Sequence, residues 1–211
     1  MKQLYPDLWQ TEKHQTGILN SYAYFLEHPQ GNILFYNTGN DADLDFMEER
    51  GGIRMQLLTH RDEAGGSLER IRNRFGSLLL YPEREAGAIG RHASADRYFE
   101  KGDHLLGDLL VLDTPGHTAG SVCFFYKSPH GKSYLFSGDT FFLWDSKWST
   151  LVVEKAGGSA DALIRSLLVL RSLKPDAVFS SGFVGELGVA EPTEQEWRAA
   201  IDQEVEKLRK L

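Results

Sequence analysis

The sequence is short of cysteine, of basic charge and of long apolar runs, and each shortage closes off a class of protein. Its 211 residues include one cysteine, Cys123, inside the apolar run "SVCFFY". An internal disulfide is therefore impossible and a Cys-x-x-Cys metal knuckle is absent. Any metal must be held by His, Asp and Glu. With 23 Lys and Arg against 30 Asp and Glu, the formal net charge is -7. A mainly electrostatic grip on nucleic acid or on an anionic membrane needs a basic face, so neither partner is expected. No apolar run approaches the roughly 20 residues that span a bilayer, and the opening "MKQLYPDLWQ" lacks the apolar core of a signal peptide, so a cytoplasmic protein is expected. There is no tandem repeat, low-complexity tract or clear linker, and one domain over residues 1–211 is the natural expectation. The oligomeric state is left open, a homodimer included.

Short strands and amphipathic helices are what the patterning supplies. "SYAYFLEH" and "NILFYNTG" read as strands, "DADLDFMEERG" as a short helix, and "IRMQLLTH" as a strand that delivers His60 to its C-terminal end. In "GSLERIRNRFG" the residues Leu68, Ile71 and Phe75 recur at helical spacing. The basic residues of that segment read as a solvated helix face. "SLLLYPE" is strand-like, and the mixed, polar stretch from Pro82 to Gly107 resists assignment. Two strands flank a Pro-Gly turn in "DLLVLDTPGHTAGSVCFFYK", and "KSYLFSGDTFFLW" is a strand reaching Gly138-Asp139. A helix stopped at Lys174-Pro175 precedes the strand "DAVFSSG". The last segment places Trp197, Ile201, Val205 and Leu208 on one helical face. Strands before helices in each half favour helices covering packed sheets, an α/β (α+β) class.

Three strand ends carry candidate chemistry. In "DTPGHTAGS", Gly116 allows close backbone approach and His117 leaves the turn beside no bulky neighbour. In "LFSGDT", an apolar strand ends at Gly138 and exposes Asp139. With His60 these supply two imidazoles and one carboxylate, enough for a divalent metal with open coordination positions. A blander reading stands beside this one: His60 merely ends a strand, Asp62 and Glu63 sit near the positive end of the next helix, and Asp139 is a turn residue. His14, His28, His92, His104 and His130 read as loop or surface residues, Cys123 as core packing, and the aromatic "TFFLWDSKWSTLVV" as packing rather than pocket lining.

In order and approximate spacing, "NILFYNTG", "LLTHRDEAGG", "DTPGHTAGS" and "LFSGDT" together resemble the metallo-β-lactamase superfamily. The resemblance implies a four-layer αββα sandwich with a metal site at the sheet edges. It implies metal ligands at His60, Asp62, Glu63, His117 and Asp139, with Asp62 also in a catalytic role. There are departures. Asn37 stands where the family commonly has aspartate. The first metal loop, usually Thr-His-x-His-x-Asp-His-x-Gly-Gly, is shortened, so His60 takes the second histidine's place if Gly65 and Gly66 anchor the comparison and the first's if Thr59 does. A late Gly-His appears as Gly182-Phe183. One ion is therefore expected rather than two, with zinc, iron or manganese as its identity. The implied function is a metal-dependent hydrolase acting on a small ester, thioester or lactone. The alternatives are a mononuclear iron oxidoreductase resembling persulfide dioxygenases and a non-catalytic metal-binding or sensor module.

Overall fold

In the computed structural model, which describes residues 1–100 and 102–210, two sheets stack face to face with helices outside them. The first sheet orders its strands Lys2–Tyr5, Leu8–Gln10, Tyr24–Leu26, Ile33–Phe35, Met55–Leu57, Leu78–Tyr81 and Arg97–Tyr98. Its first four strands are antiparallel neighbours, and from Ile33–Phe35 onward the pairing is parallel. Parallel neighbours need crossovers, and helices α1 (Asp41–Glu49) and α2 (Ser67–Phe75) provide two of them. The Asn40 side chain accepts from the Asp43 amide to start α1, and Gly76, in a left-handed conformation, ends α2.

The second sheet runs His104–Leu105, Leu109–Asp113, Val122–Lys127, Ser133–Phe136, Ala177–Phe179 and Val189–Ala190. A third, of five strands, joins Lys147–Ser149, Phe142–Trp144, Gly182–Val184, Leu19–Ser21 and His14–Thr16. The run expected as one strand, "SYAYFLEH", is shorter than read: its first residue, Ser21, ends the third-sheet strand Leu19–Ser21, and Tyr24–Leu26 belongs to the first sheet. The stretch that resisted assignment contains a 3₁₀ turn at Glu83–Glu85, helix α3 (Ala86–Ile89) and two very short strands. Lys101, in that stretch, and the terminal Leu211 lie outside the described residues.

Alternation along one strand shows why both faces of the second sheet are buried. Val122, Phe124 and Tyr126 enter the core between the sheets, while Cys123 and Phe125 enter the core beneath α4 (Ala160–Arg171) and α5 (Glu194–Leu208). Between the sheets, Phe35 and Phe136 stack with ring centroids 3.6 Å apart, and Phe179 stacks on Phe136 at 5.1 Å. Cys123 is fully buried, and burial pushes its thiol up to about 12. That is the inert packing role expected of it.

The C-terminal helix buries the face read from its spacing: Trp197, Ile201, Val205 and Leu208. A capping box at Thr193 and Glu196 starts it. The Trp197 indole donates to the Leu170 carbonyl at 3.0 Å and its ring meets Phe141 and Trp148. Phe141 and Trp148 therefore pack, as expected of that aromatic segment, whereas Trp144 is exposed. Trp197→Ala is expected to destabilise the fold by about 3–5 kcal/mol, the range for emptying a large buried aromatic position, as read from the midpoint of urea unfolding. No helix among the described residues is long and apolar enough to cross a membrane.

Candidate metal centre

Three strand ends meet at one edge of the sandwich. Met55–Leu57 runs parallel to Ile33–Phe35 and Leu78–Tyr81, and its C-terminal end leads into Thr59 and His60. Leu109–Asp113 leads into Gly116 and His117, and Ser133–Phe136 into Gly138 and Asp139. The amide of Val122 donates to the Thr59 carbonyl at 3.1 Å, tying the two sheets together here. Tyr36 adopts a left-handed backbone (φ 68°), unusual for a bulky residue. Its hydroxyl donates to the Phe179 carbonyl at 2.7 Å and accepts from the Gly138 amide at 3.0 Å. Gly138 must be a glycine for lack of room: a Cβ there would lie 2.1 Å from Thr59 Oγ1.

The Nε2 atoms of His60 and His117 converge on two carboxylates. His60 Nε2 is 3.5 Å from Asp139 Oδ2 and 3.8 Å from Asp62 Oδ2. His117 Nε2 is 3.9 Å and 3.7 Å from the same two atoms. One donor atom from each of His60, Asp62 and His117 lies within 4.8 Å of the others. Ligands bound at about 2.1 Å in a tetrahedron stand about 3.4 Å apart, so these separations are close to those an ion would hold.

The proton positions point the same way. His117 Nδ1 lies 2.8 Å from the Leu151 carbonyl, which can only accept, so Nδ1 carries the hydrogen and Nε2 a lone pair. Thr59 spends its single hydroxyl hydrogen on Glu63 Oε1. His60 Nδ1, 3.0 Å from Thr59 Oγ1 and 3.2 Å from Glu63 Oε1, must therefore donate, and its Nε2 is the nitrogen left to face the carboxylates. Both Nε2 atoms are buried and have no hydrogen-bond partner. Two buried ring nitrogens without a partner beside two carboxylates are costly to leave so, and a cation placed between them, a proton or a metal ion, satisfies both.

Charge tells the same story. Burial alone lowers the His60 pKa, but the carboxylates of Glu63 and Asp139 outweigh it and raise it well above the ordinary value. Burial would raise the Asp139 pKa, yet His60, His117 and the Ser181 hydroxyl overcome that and lower it. The neighbouring His117 imidazole, foremost, lowers the Asp62 carboxyl despite its partial burial. The pocket thus favours positive charge among ionised carboxylates.

The sequence-derived candidates take different places around this centre. His60 and His117 are buried, Asp139 is partly buried, and Asp62 is more than half exposed at 57%. Asp139 Oδ1 accepts from Ser181 Oγ at 2.8 Å and the Gly182 amide at 2.9 Å, which leaves Oδ2 facing the histidines. Glu63 is turned otherwise. Its Oε2 accepts from the Thr59 amide at 2.7 Å and its Oε1 faces Nδ1 of His60, the side opposite Nε2. Asp62 and Glu63 do lie in the 3₁₀ turn Arg61–Glu63, but no side chain caps that turn or α2. Phe183, where the late histidine was sought, is buried and stacks on Tyr22 at 5.1 Å.

A cleft of about 740 Å³ opens in front of His60, Asp62 and Asp139. Its walls include Asn37, Ser67 and Ser181, and an N-terminal segment with Lys13 and His14. His14 lies on a strand and lines the cleft, rather than being the plain loop residue expected, while His28 is buried against Asp108 at 3.0 Å. Asn37 accepts from Ser67 Oγ at 2.8 Å and from Gln56 at 3.2 Å, holding the first loop to its neighbouring strand. Ser181 and the cleft-lining His14 carried no sequence signal, since neither lies in a recognisable spacing.

Known proteins align with this picture. The family model of the Metallo-beta-lactamase superfamily matches residues 57–182, more than half of the chain and the stretch holding all five candidate residues. A hydroxyacylglutathione hydrolase of Klebsiella pneumoniae is 32% identical over 130 residues, covering 58% of this chain and 48% of that protein. One from Rhizobium meliloti is 31% identical over 142 residues, covering 66% and 52%. The chain thus spans about half the length of the curated relatives it matches. Among solved structures, a metallo-beta-lactamase from Pontibacter korlensis superposes with a TM-score of 0.71 at 15% identity, covering 100% of this chain and 98% of that one.

Proposed function

The chain belongs to the metallo-β-lactamase superfamily, and from that premise we propose that it is a metal-dependent hydrolase of a small thioester, ester or lactone. Thioesters come first, because hydroxyacylglutathione hydrolases are among the relatives. The observation carrying this reading is the pair of buried, partnerless Nε2 atoms of His60 and His117 facing Asp62 and Asp139 beside a cleft.

In this reading His60, His117 and Asp139 would hold one divalent ion with Asp62 beside it, and Glu63 stays outside the ligand set because its carboxylate is engaged behind His60. Such an ion supplies Lewis acidity, lowering the pKa of a water toward about 7 and polarising a carbonyl oxygen. The chain's own groups do the rest. Asp62, exposed and held ionised, is the carboxylate free to orient the attacking water and accept its proton. Ser181 and Gly182 hold Asp139 in one orientation. The cleft wall at Asn37, Ser67 and the Lys13–His14 strand binds the substrate's remainder.

Zinc- or manganese-loaded protein is expected to hydrolyse an acyl-glutathione thioester above the chelator-treated control. A panel of thioesters, esters and lactones with no turnover above that control would sink the reading. A second reading has its own observation: two histidines and a carboxylate also suit mononuclear iron(II). It makes the chain an oxidoreductase of a persulfide-type sulfur substrate. Elemental analysis of protein purified without added metal, with oxygen uptake on glutathione persulfide, separates the two.

A further inference from the structure

We propose that Glu85 is a positioning residue of the metal centre, setting the separation of the loops that carry His60 and His117. The inference rests on the metal-binding reading above and concerns a residue outside the family-like motifs. Glu85 is fully buried, an uncommon place for a carboxylate. It ends the 3₁₀ turn Glu83–Glu85 that follows strand Leu78–Tyr81. That strand is the parallel neighbour of Met55–Leu57, with Leu80 opposite Leu57, so its C-terminal end emerges beside the loop that carries His60.

Each carboxylate oxygen of Glu85 serves a different loop. Oε2 pairs with the Arg61 guanidinium, between His60 and Asp62 in the chain. Oε1 accepts from the Thr118 hydroxyl at 3.0 Å and the Gly120 amide at 2.7 Å, in the loop of His117. Thr118 Oγ1 lies 2.8 Å from Ser121 Oγ, which also accepts from the Thr118 amide at 3.0 Å, so the turn around His117 is bonded internally as well as to Glu85. Two residues adjacent in sequence to the histidines are therefore fastened to one rigid, buried group. A metal site tolerates little error in ligand placement, and supporting partners of this kind contribute strongly to affinity.

The test is divalent-ion affinity by chelator competition, with zinc and with cobalt(II), alongside the visible absorption of the cobalt protein and the melting temperature of metal-free protein. Glu85→Gln is expected to weaken affinity by about 10–100-fold and to alter the cobalt spectrum, as loss of a supporting partner does. A merely structural role would lower the metal-free melting temperature yet leave affinity and spectrum unchanged, and that result overturns the proposal. If Glu85→Gln does not fold, Thr118→Val, which removes only the hydroxyl link, is expected to weaken affinity to a smaller degree, and unchanged affinity there is equally fatal. Wild type that binds neither ion overturns the metal reading and this proposal together. Wild type that binds, with Glu85→Gln binding equally, overturns this proposal alone.

Discussion

Replacing His117 with alanine is expected to abolish stoichiometric zinc binding near neutral pH and to lower thioester turnover by more than about 100-fold, beyond what loss of a supporting partner costs. The reason is geometric. His117 Nε2 is one of two neutral nitrogen donors in the cluster, and its ring is held from behind by the Leu151 carbonyl. No other histidine is placed to substitute, because His14 sits on the cleft wall and His28 is engaged with Asp108. Thermal melts with and without zinc give an independent readout. Wild type at a free-zinc level 100 times its Kd should gain about 2.7 kcal/mol of stability, and His117→Ala should gain almost none. His130→Ala, at an exposed turn, should match wild type in both assays. A variant at His117 that keeps wild-type affinity would remove the centre from consideration.

The second large effect lies one residue earlier. Gly116→Val is expected to cost about 2–6 kcal/mol, summing overpacking of about 1–3 and backbone strain of about 1–3 kcal/mol, and so to deplete soluble protein. Gly116 has φ 142°, and a Cβ there would lie 2.4 Å from both the Cα and the amide nitrogen of Leu163. Those atoms belong to α4, whose first turn rests on this loop through the Ser159 amide donating to the Gly116 carbonyl at 3.0 Å. Backbone cannot retreat as a flexible side chain can. Either α4 shifts outward or the loop turns, and His117 moves with it. Urea unfolding measures the loss. Gly87→Ala is the control: in α3, with nothing within 4 Å of its added Cβ, it should be neutral or stabilising by about 0.4–1 kcal/mol. Equal stability of Gly116→Val and wild type would show that the contact with α4 is not limiting.

Legibility followed the range over which each feature is decided. Strand ends at His60, His117 and Asp139 could be read because an apolar run breaking at glycine and a polar residue is a local pattern. The buried face of α5 could be read for the same reason, since Trp197, Ile201, Val205 and Leu208 repeat with the helix. The first two strands, Lys2–Tyr5 and Leu8–Gln10, have no readable pattern, being four and three residues long and, in Lys2–Tyr5, without a buried residue. The break in "SYAYFLEH" after Ser21 was also hidden, because the chain passes there from one sheet to the other and only the strand partners decide it.

The sequence by itself determined a chain without an internal disulfide, negative in net charge, and carrying two histidines and an aspartate in the order of the metallo-β-lactamase superfamily. Covalent composition and local periodicity suffice for that. The tertiary structure alone decided where Glu63 points, which nitrogen of each histidine is free, and that Glu85 joins the two metal loops. A side chain's direction depends on the donors and acceptors it meets across the fold. Gly120 and Thr118 meet Glu85 from 35 and 33 residues away, a distance over which no sequence period speaks.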